Sequence, residues 1–166
     1  MKQRHKEQEE QIRCVNWFRR TYPELAVLLE HPKNEVVSGN RTEGAIAKAE
    51  GVQVGVADLI LHVPSELHII NGMPQEEPMT VHSLAIEMKT KTGRQSPEQK
   101  IFQRYFEVAG NMYVIVRSLE EFQKVIIRYV DGIPYFIRHN LTALREQIDR
   151  EQTEAARKEL QKLLNK

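Results

Sequence analysis

The chain has 166 residues, 40% hydrophobic and 28% charged, with a net charge of only +1. That length fits one domain, and the composition is that of an ordinary globular protein. No apolar run approaches the ~20 residues of a membrane span, the opening carries no secretory signal, and Cys14 stands alone, which excludes a disulfide framework and a zinc cluster. These features fit a reducing cytoplasm. The low total charge is unlike that of a dedicated nucleic-acid binder, yet Lys89, Lys91, Arg94, Lys100 and Arg104 face only Glu98 over one short stretch, and Lys2, Arg4 and Lys6 open the chain. Local patches, not totals, meet phosphates, although such a run also describes a solvated face.

Taken in order, the opening reads as a helix. Ile12, Val15, Phe18 and Tyr22, with Arg19 among them, fall at helical spacing as an apolar stripe, and Pro23 ends it. Glu7 and Gln11 lie four apart and share a face. A short strand is expected around Glu35 to Ser38. A short helix follows from Arg41 to Glu50, capped by Thr42 and stopped by Gly51. Val56 to Val63 reads as a strand. Pro64 to Thr80 reads as a hairpin-like acidic excursion around Asn71-Gly72.

Leu84 to Lys89 is the next strand. Glu87 and Lys89 are two apart, so they point the same way and Met88 turns to the other side. If this strand pairs with the earlier run, Asp58 comes alongside, giving two carboxylates and an amine on one sheet surface. A Glu-x-Lys on a strand also describes a solvent-facing ion pair. Charges beside buried apolar runs, however, are seldom there unless paired or metal-bound.

Past Gly93, Ser96 is a good N-cap and Pro97 suits the first helical position. Ile101, Phe102, Tyr105, Phe106 and Ala109 then fall largely on one side as core. Met112 to Val116 reads as an apolar strand. Ser118 caps a helix bearing Phe122, Val125, Ile126, Tyr129 and Val130. A helix between two buried strands implies a parallel pair. The body is expected to end near Gly132, giving a domain over 1–132 and a helical extension over 133–166, with its helix from about Leu141 to Leu164.

Three blocks occur in order: Gly51-Val-Gln-Val-Gly-Val-Ala-Asp58-Leu, then Ile86-Glu-Met-Lys89, then Gly93-Arg-Gln-Ser-Pro-Glu-Gln-Lys100. Over roughly Glu7 to Val130 this resembles the VRR-NUC (virus-type replication-repair nuclease) family of the PD-(D/E)xK superfamily, stand-alone phage or bacterial type. Ala57 stands where that family usually has proline, a stiffener and not a ligand.

The resemblance implies an α/β restriction-endonuclease-like core, with a central mixed sheet flanked by helices. It implies a magnesium-dependent (or manganese-dependent) endonuclease that leaves a 5′-phosphate and a 3′-hydroxyl. Asp58, Glu87, the Met88 carbonyl and Glu7 would hold the metal, with Glu10 the competing choice for the helix ligand and Glu9 behind it. A hard cation suits oxygen donors. Lys89 would position water or stabilise charge on the phosphate, and Gln99 would lean back toward the metal site. Pro32, Asn34 and Arg41 are counterparts of family positions. Asn34, Arg41, Lys48, Lys91, Arg94 and Lys100 are the expected nucleic-acid contacts. The implied partners are branched DNA, Holliday-junction-like, and a second copy in a homodimer, within a bacterial or phage-infected cell. No membrane and no organic cofactor is expected. The competing reading is an inactive nucleic-acid-binding module that keeps the nuclease fold.

Overall fold

A computed structural model describes residues 2–32, 41–70 and 73–164. The chain divides into two compact units, Met1–Ile133 and Pro134–Lys166. The expected strand at 35–38, the Asn71-Gly72 turn and Asn34 lie outside the described residues, as does the side chain of Arg41.

The first unit opens with helix α1 (Lys2–Thr21), a 3₁₀ turn (Ala26–Leu28) and the two-residue strand β1 (Leu29–Glu30). Phe18 and Tyr22 of the expected stripe are buried, but Ile12 is 55% exposed, and Cys14, outside that stripe, is fully buried. Residues 7, 11, 14 and 18 follow one helical face. The core face of α1 therefore runs back to Glu7 and Gln11. Burial pushes the Cys14 thiol up to about 12, as expected of a core cysteine held neutral.

Helix α2 (Arg41–Ala49) precedes strand β2 (Leu59–Leu61). The strand expected over 56–63 is thus only three residues long. Its early end has a cause. Leu59 pairs with Ile86 of β5 (Leu84–Met88), and one step beyond, the Asp58 side chain takes over. Asp58 Oδ2 accepts from the Met88 N–H at 2.7 Å, replacing a ladder bond with a carboxylate.

The main sheet has the order β1-β2-β5-β6, with β6 at Met112–Val116. Pairs β1–β2 and β2–β5 are antiparallel and β5–β6 is parallel, so the sheet is mixed. Helix α3 (Pro97–Val108) makes the crossover, as the buried strands around it imply. Every residue of β5 is buried, so both faces of the strand are covered. Under α3 lie Ala57, Ile60, Ala85 and Tyr113, packed by Phe102 and Phe106. The other face carries α1 and α4 (Leu119–Asp131), joined by the edge-to-face pair Trp17–Phe122 at 6.0 Å.

The expected core of α3 needs correction. Phe102 and Phe106 reach the sheet, but Ile101 is 58% exposed, Tyr105 78% and Val108 90%; Ala109 is also exposed. By contrast α4 buries Phe122, Ile126, Tyr129 and Val130.

Strands β3 (Ser65–Ile70) and β4 (Met73–Val81) form the expected hairpin as a separate two-stranded sheet. Its base is fastened to α4: the buried Ser65 hydroxyl donates to Tyr129 O, and Glu66 N–H donates to Gly132 O, both at 2.7 Å. At Gly132 a Cβ would stand 2.3 Å from Glu66 O, so no larger residue fits that approach.

The second unit is helix α5 (Tyr135–Leu164), which begins six residues before the expected Leu141. Exposed i,i+4 pairs such as Arg145–Asp149 run along it. No described helix is long and apolar enough to cross a membrane.

Candidate active site

The geometry of β5 decides between a surface ion pair and a site. Glu87 opposes Asp58 one step past the Leu59–Ile86 pair, and cross-strand partners share a face. Lys89 follows on that face. Its ammonium lies 2.5 Å from Glu87 Oε1, and the Glu87 side chain is 0% exposed. The pair is therefore buried, beside a second carboxylate.

Three donors converge on Glu87. Lys89 Nζ and Gln99 Nε2 both reach Oε1, each at 2.5 Å, and the Tyr113 hydroxyl donates to Oε2 at 3.2 Å. Gln99 arrives there through its helix end. Ser96 Oγ accepts from the Gln99 N–H while Gln99 Oε1 accepts from the Ser96 N–H, a reciprocal capping box. That fixes the amide so that its nitrogen points at Glu87. The Ser-Pro-Glu-Gln stretch thus caps α3 and delivers one side chain in a single turn.

The turn before Asp58 is fitted to that helix end. Gly55 has φ +82°, and a Cβ there would come within 2.5 Å of the Glu98 carbonyl carbon and 2.8 Å of Gln99 N. Only glycine allows both the left-handed backbone and the close approach.

Electrostatics follow from burial. Desolvation pushes the Asp58 carboxyl up, against the pull of the Met88 N–H, Lys89 and His31, while Glu7 adds to the rise. Glu87 is raised to about 7, first by desolvation and then by the Asp58 charge. The Tyr113 phenol is pushed far up, mainly by burial and then by Glu87, so it stays protonated and donates.

The N-terminal helix closes the far side. Glu7 Oε1 accepts from the Thr90 N–H at 2.8 Å, and its charge reaches Asp58. Glu10 is engaged elsewhere: Oε1 accepts from Leu119 N–H at 2.6 Å and Oε2 from Arg13 at 2.8 Å. Of the two candidate glutamates, the structure brings Glu7 beside Asp58. Gln11 is 3.2 Å from His31 Nδ1, which lies 2.6 Å from the Asp58 carbonyl. Lys91 and Arg94 occupy the exposed loop after β5, Lys100 is exposed on α3, and Lys48 is exposed at the end of α2, not joined to the Glu87 network by any bond among the described residues.

Tyr113, His31 and Arg117 were not legible as site residues. Tyr113 joins because Ala85 pairs with it across the parallel ladder, which brings its ring under α3. Arg117 donates to the carbonyls of Thr90 and Gly93, the latter at 3.0 Å, and so pins the loop that follows Lys89. The short strand before Arg117 was visible, but not its register.

Among the described residues, no three His, Cys, Asp or Glu side chains close into a metal-holding cluster. The donor chemistry still fits a magnesium-like ion. Such an ion keeps several waters and needs only one or two protein carboxylates. A buried Glu87 whose proton affinity is raised by desolvation and by the charge of the half-buried Asp58 is relieved by a divalent cation.

A mixed sheet with helices on both faces, and with an Asp, a Glu-x-Lys and a helix-borne Gln gathered at one end, defines a nuclease-type α/β core. A solved structure described as a VRR_NUC domain protein superposes with a TM-score of 0.59 over 76% of this chain and 88% of that one, at 23% identity. The chain has the VRR-NUC fold. No family profile and no curated protein matches the sequence.

Proposed function

We propose that the protein is a metal-dependent deoxyribonuclease that hydrolyses phosphodiester bonds in branched DNA. The observation that supports this most directly is the convergence of Asp58, Glu87 and Lys89 on one face, with Gln99 fastened to Glu87. The VRR-NUC fold supports the same reading.

In this reading Asp58, Glu87 and the Met88 carbonyl, with Glu7 at the margin, would hold Mg²⁺ or Mn²⁺. A bound divalent ion lowers the pKa of a coordinated water and neutralises charge on the phosphate. Gln99 and Tyr113 hold the Glu87 carboxylate in one orientation. Lys89 positions the attacking water and stabilises the charge that develops on the phosphate. Water adds to phosphorus and the bond to the 3′-oxygen breaks. That oxygen takes a proton, leaving a 5′-phosphate and a 3′-hydroxyl. A symmetric junction needs two cuts, so the working unit in this reading is a homodimer, acting in the cytoplasm of a bacterial or phage-infected cell.

Lys89→Ala is expected to cut turnover by about 10²-fold or more, with DNA affinity kept; full cleavage by that variant would remove Lys89 from the mechanism. Asp58→Asn is expected to lose Mg²⁺ binding by calorimetry, and unchanged affinity would show that Asp58 is not a ligand. A gel assay with Mg²⁺ on four-way junction, flap and linear duplex tests the substrate. Equal cleavage of all three would end the branched-DNA proposal.

A further inference from the structure

A cleft of about 580 Å³ opens beside the carboxylate cluster, between the start of α1 and the loop after β5. Its walls carry four cations, Lys6, Lys89, Lys91 and Arg117, against two carboxylates, Glu7 and Glu10. Most of these charges are already committed. Glu10 accepts from Leu119 N–H and Arg13, and Glu7 accepts from Thr90 N–H. Lys89 is paired with Glu87, and Arg117 donates to two loop carbonyls. Lys6 and Lys91 remain, one on each wall, both exposed, and neither forms an ion pair among the described residues.

The loop between them is held like a binding loop. Thr90 N–H is tied to Glu7, the Thr90 and Gly93 carbonyls are tied to Arg117, and Gly93 N–H closes the turn onto Thr90 O at 3.1 Å. Its ends are fixed while its tip, Lys91 and Thr92, is uncovered. A rigid turn that presents a cation and a hydroxyl, opposite a second cation, suits a tetrahedral anion.

We propose that this cleft is a phosphate subsite, in which Lys6 and Lys91 grip a phosphate of the nucleic-acid strand next to the one cut at Lys89. The proposal rests on the nuclease reading. Of the two carboxylates, Glu10 is paired with Arg13, and Glu7 accepts from Thr90 N–H and in the nuclease reading belongs to the metal site.

The test is fluorescence anisotropy of a 3′-labelled single-stranded oligonucleotide in EDTA, from about 50 to about 200 mM salt, with Lys6→Gln, Lys91→Gln and the double variant. The double change is expected to lower the slope of log affinity against log salt by about 0.7, the share of one phosphate, and each single change by part of that. Arg128→Gln, an exposed change near the other end of α4, is the charge control and is expected to keep the wild-type slope. In Mg²⁺ the single variants are expected to raise KM and keep kcat. A 5′-phosphorylated and a 5′-hydroxyl strand separate the two phosphate sources. Preference for the phosphorylated end that vanishes in the variants assigns a terminal monoester, and equal loss on both strands assigns an internal diester. Wild-type slope and affinity in both Lys6→Gln and Lys91→Gln, in an enzyme that binds and cuts, would sink the subsite alone. A wild-type chain that binds neither this oligonucleotide nor a four-way junction would sink the nuclease reading with it.

Discussion

Helices α3 and α4 lie on opposite faces of the same sheet and are written in similar letters, with aromatic and branched residues at helical spacing in both. They do different work. Four side chains of α4 are buried, among them Phe122 and Ile126 at 0% exposure, while α3 buries none. The face under α3 is built from small residues, Ala57 and Ala85, and from the polar end where Glu87 sits. Only Phe102 and Phe106 settle there. What α3 contributes is its first turn, which points Gln99 at a buried carboxylate. One helix is held by the core, and the other is placed so that its end can act.

This contrast can be broken or sharpened by measurement. The largest effect is expected on the α4 side. Phe122→Ala should cost about 3–5 kcal/mol of stability in urea unfolding, because a fully buried ring leaves a cavity. A loss under about 1 kcal/mol would mean that α4 does not anchor the core.

Next comes the pH dependence of Glu87. Its carboxyl is raised from 4.5 to about 7 in the folded chain. The native state therefore holds a proton that the unfolded chain has already released in that window. Metal-free stability should fall as pH rises between those two values, by on the order of 2 kcal/mol. Glu87→Gln should flatten that slope in thermal melts run in EDTA, and Mg²⁺ should restore stability above the window. A wild-type melting temperature that rises across the window would show that Glu87 ionises freely.

Gly55→Ala should cost about 1–3 kcal/mol through its left-handed backbone and the clash with Glu98. Cleavage should fall further than stability does, since the clash pushes away the turn that carries Gln99. Equal wild-type cleavage and melting temperature would show that the close approach is not needed. Tyr113→Phe removes one hydrogen bond to Glu87, about 1 kcal/mol. It should lower metal affinity or turnover on the order of 10-fold, with the fold intact by circular dichroism; unchanged affinity and turnover would take Tyr113 out of the site. The smallest effect is expected at Tyr105, where Ala should change stability by no more than about 0.5 kcal/mol; a larger loss by urea unfolding would mean that α3 is packed after all.

Much of this was legible in the letters. Strand alternation put Glu87 and Lys89 on one face, the Ser96-Pro97 cap placed the start of α3, and Ser118 placed the start of α4, because these signals are local and repeat with the period of the backbone. Asp58 stands beside Glu87 because the two apolar runs pair, although the first strand is shorter than its apolar run, since the Asp58 carboxylate substitutes for a ladder bond. Periodicity misjudged Ile12, Ile101 and Tyr105, because an apolar residue at the right spacing is buried only if something covers it.

The sequence by itself determined where α3 and α4 begin and that Glu87 and Lys89 share one face of a strand, all properties of neighbours along the chain; it missed β1, and α2 already includes the expected cap Thr42. Only the tertiary structure decided which glutamate of α1 stands beside Asp58, that Tyr113 and Arg117 brace the site, and that Lys6 and Lys91 line one cleft. Those contacts join residues dozens of positions apart, and their distances depend on strand register and helix placement, which no local pattern encodes.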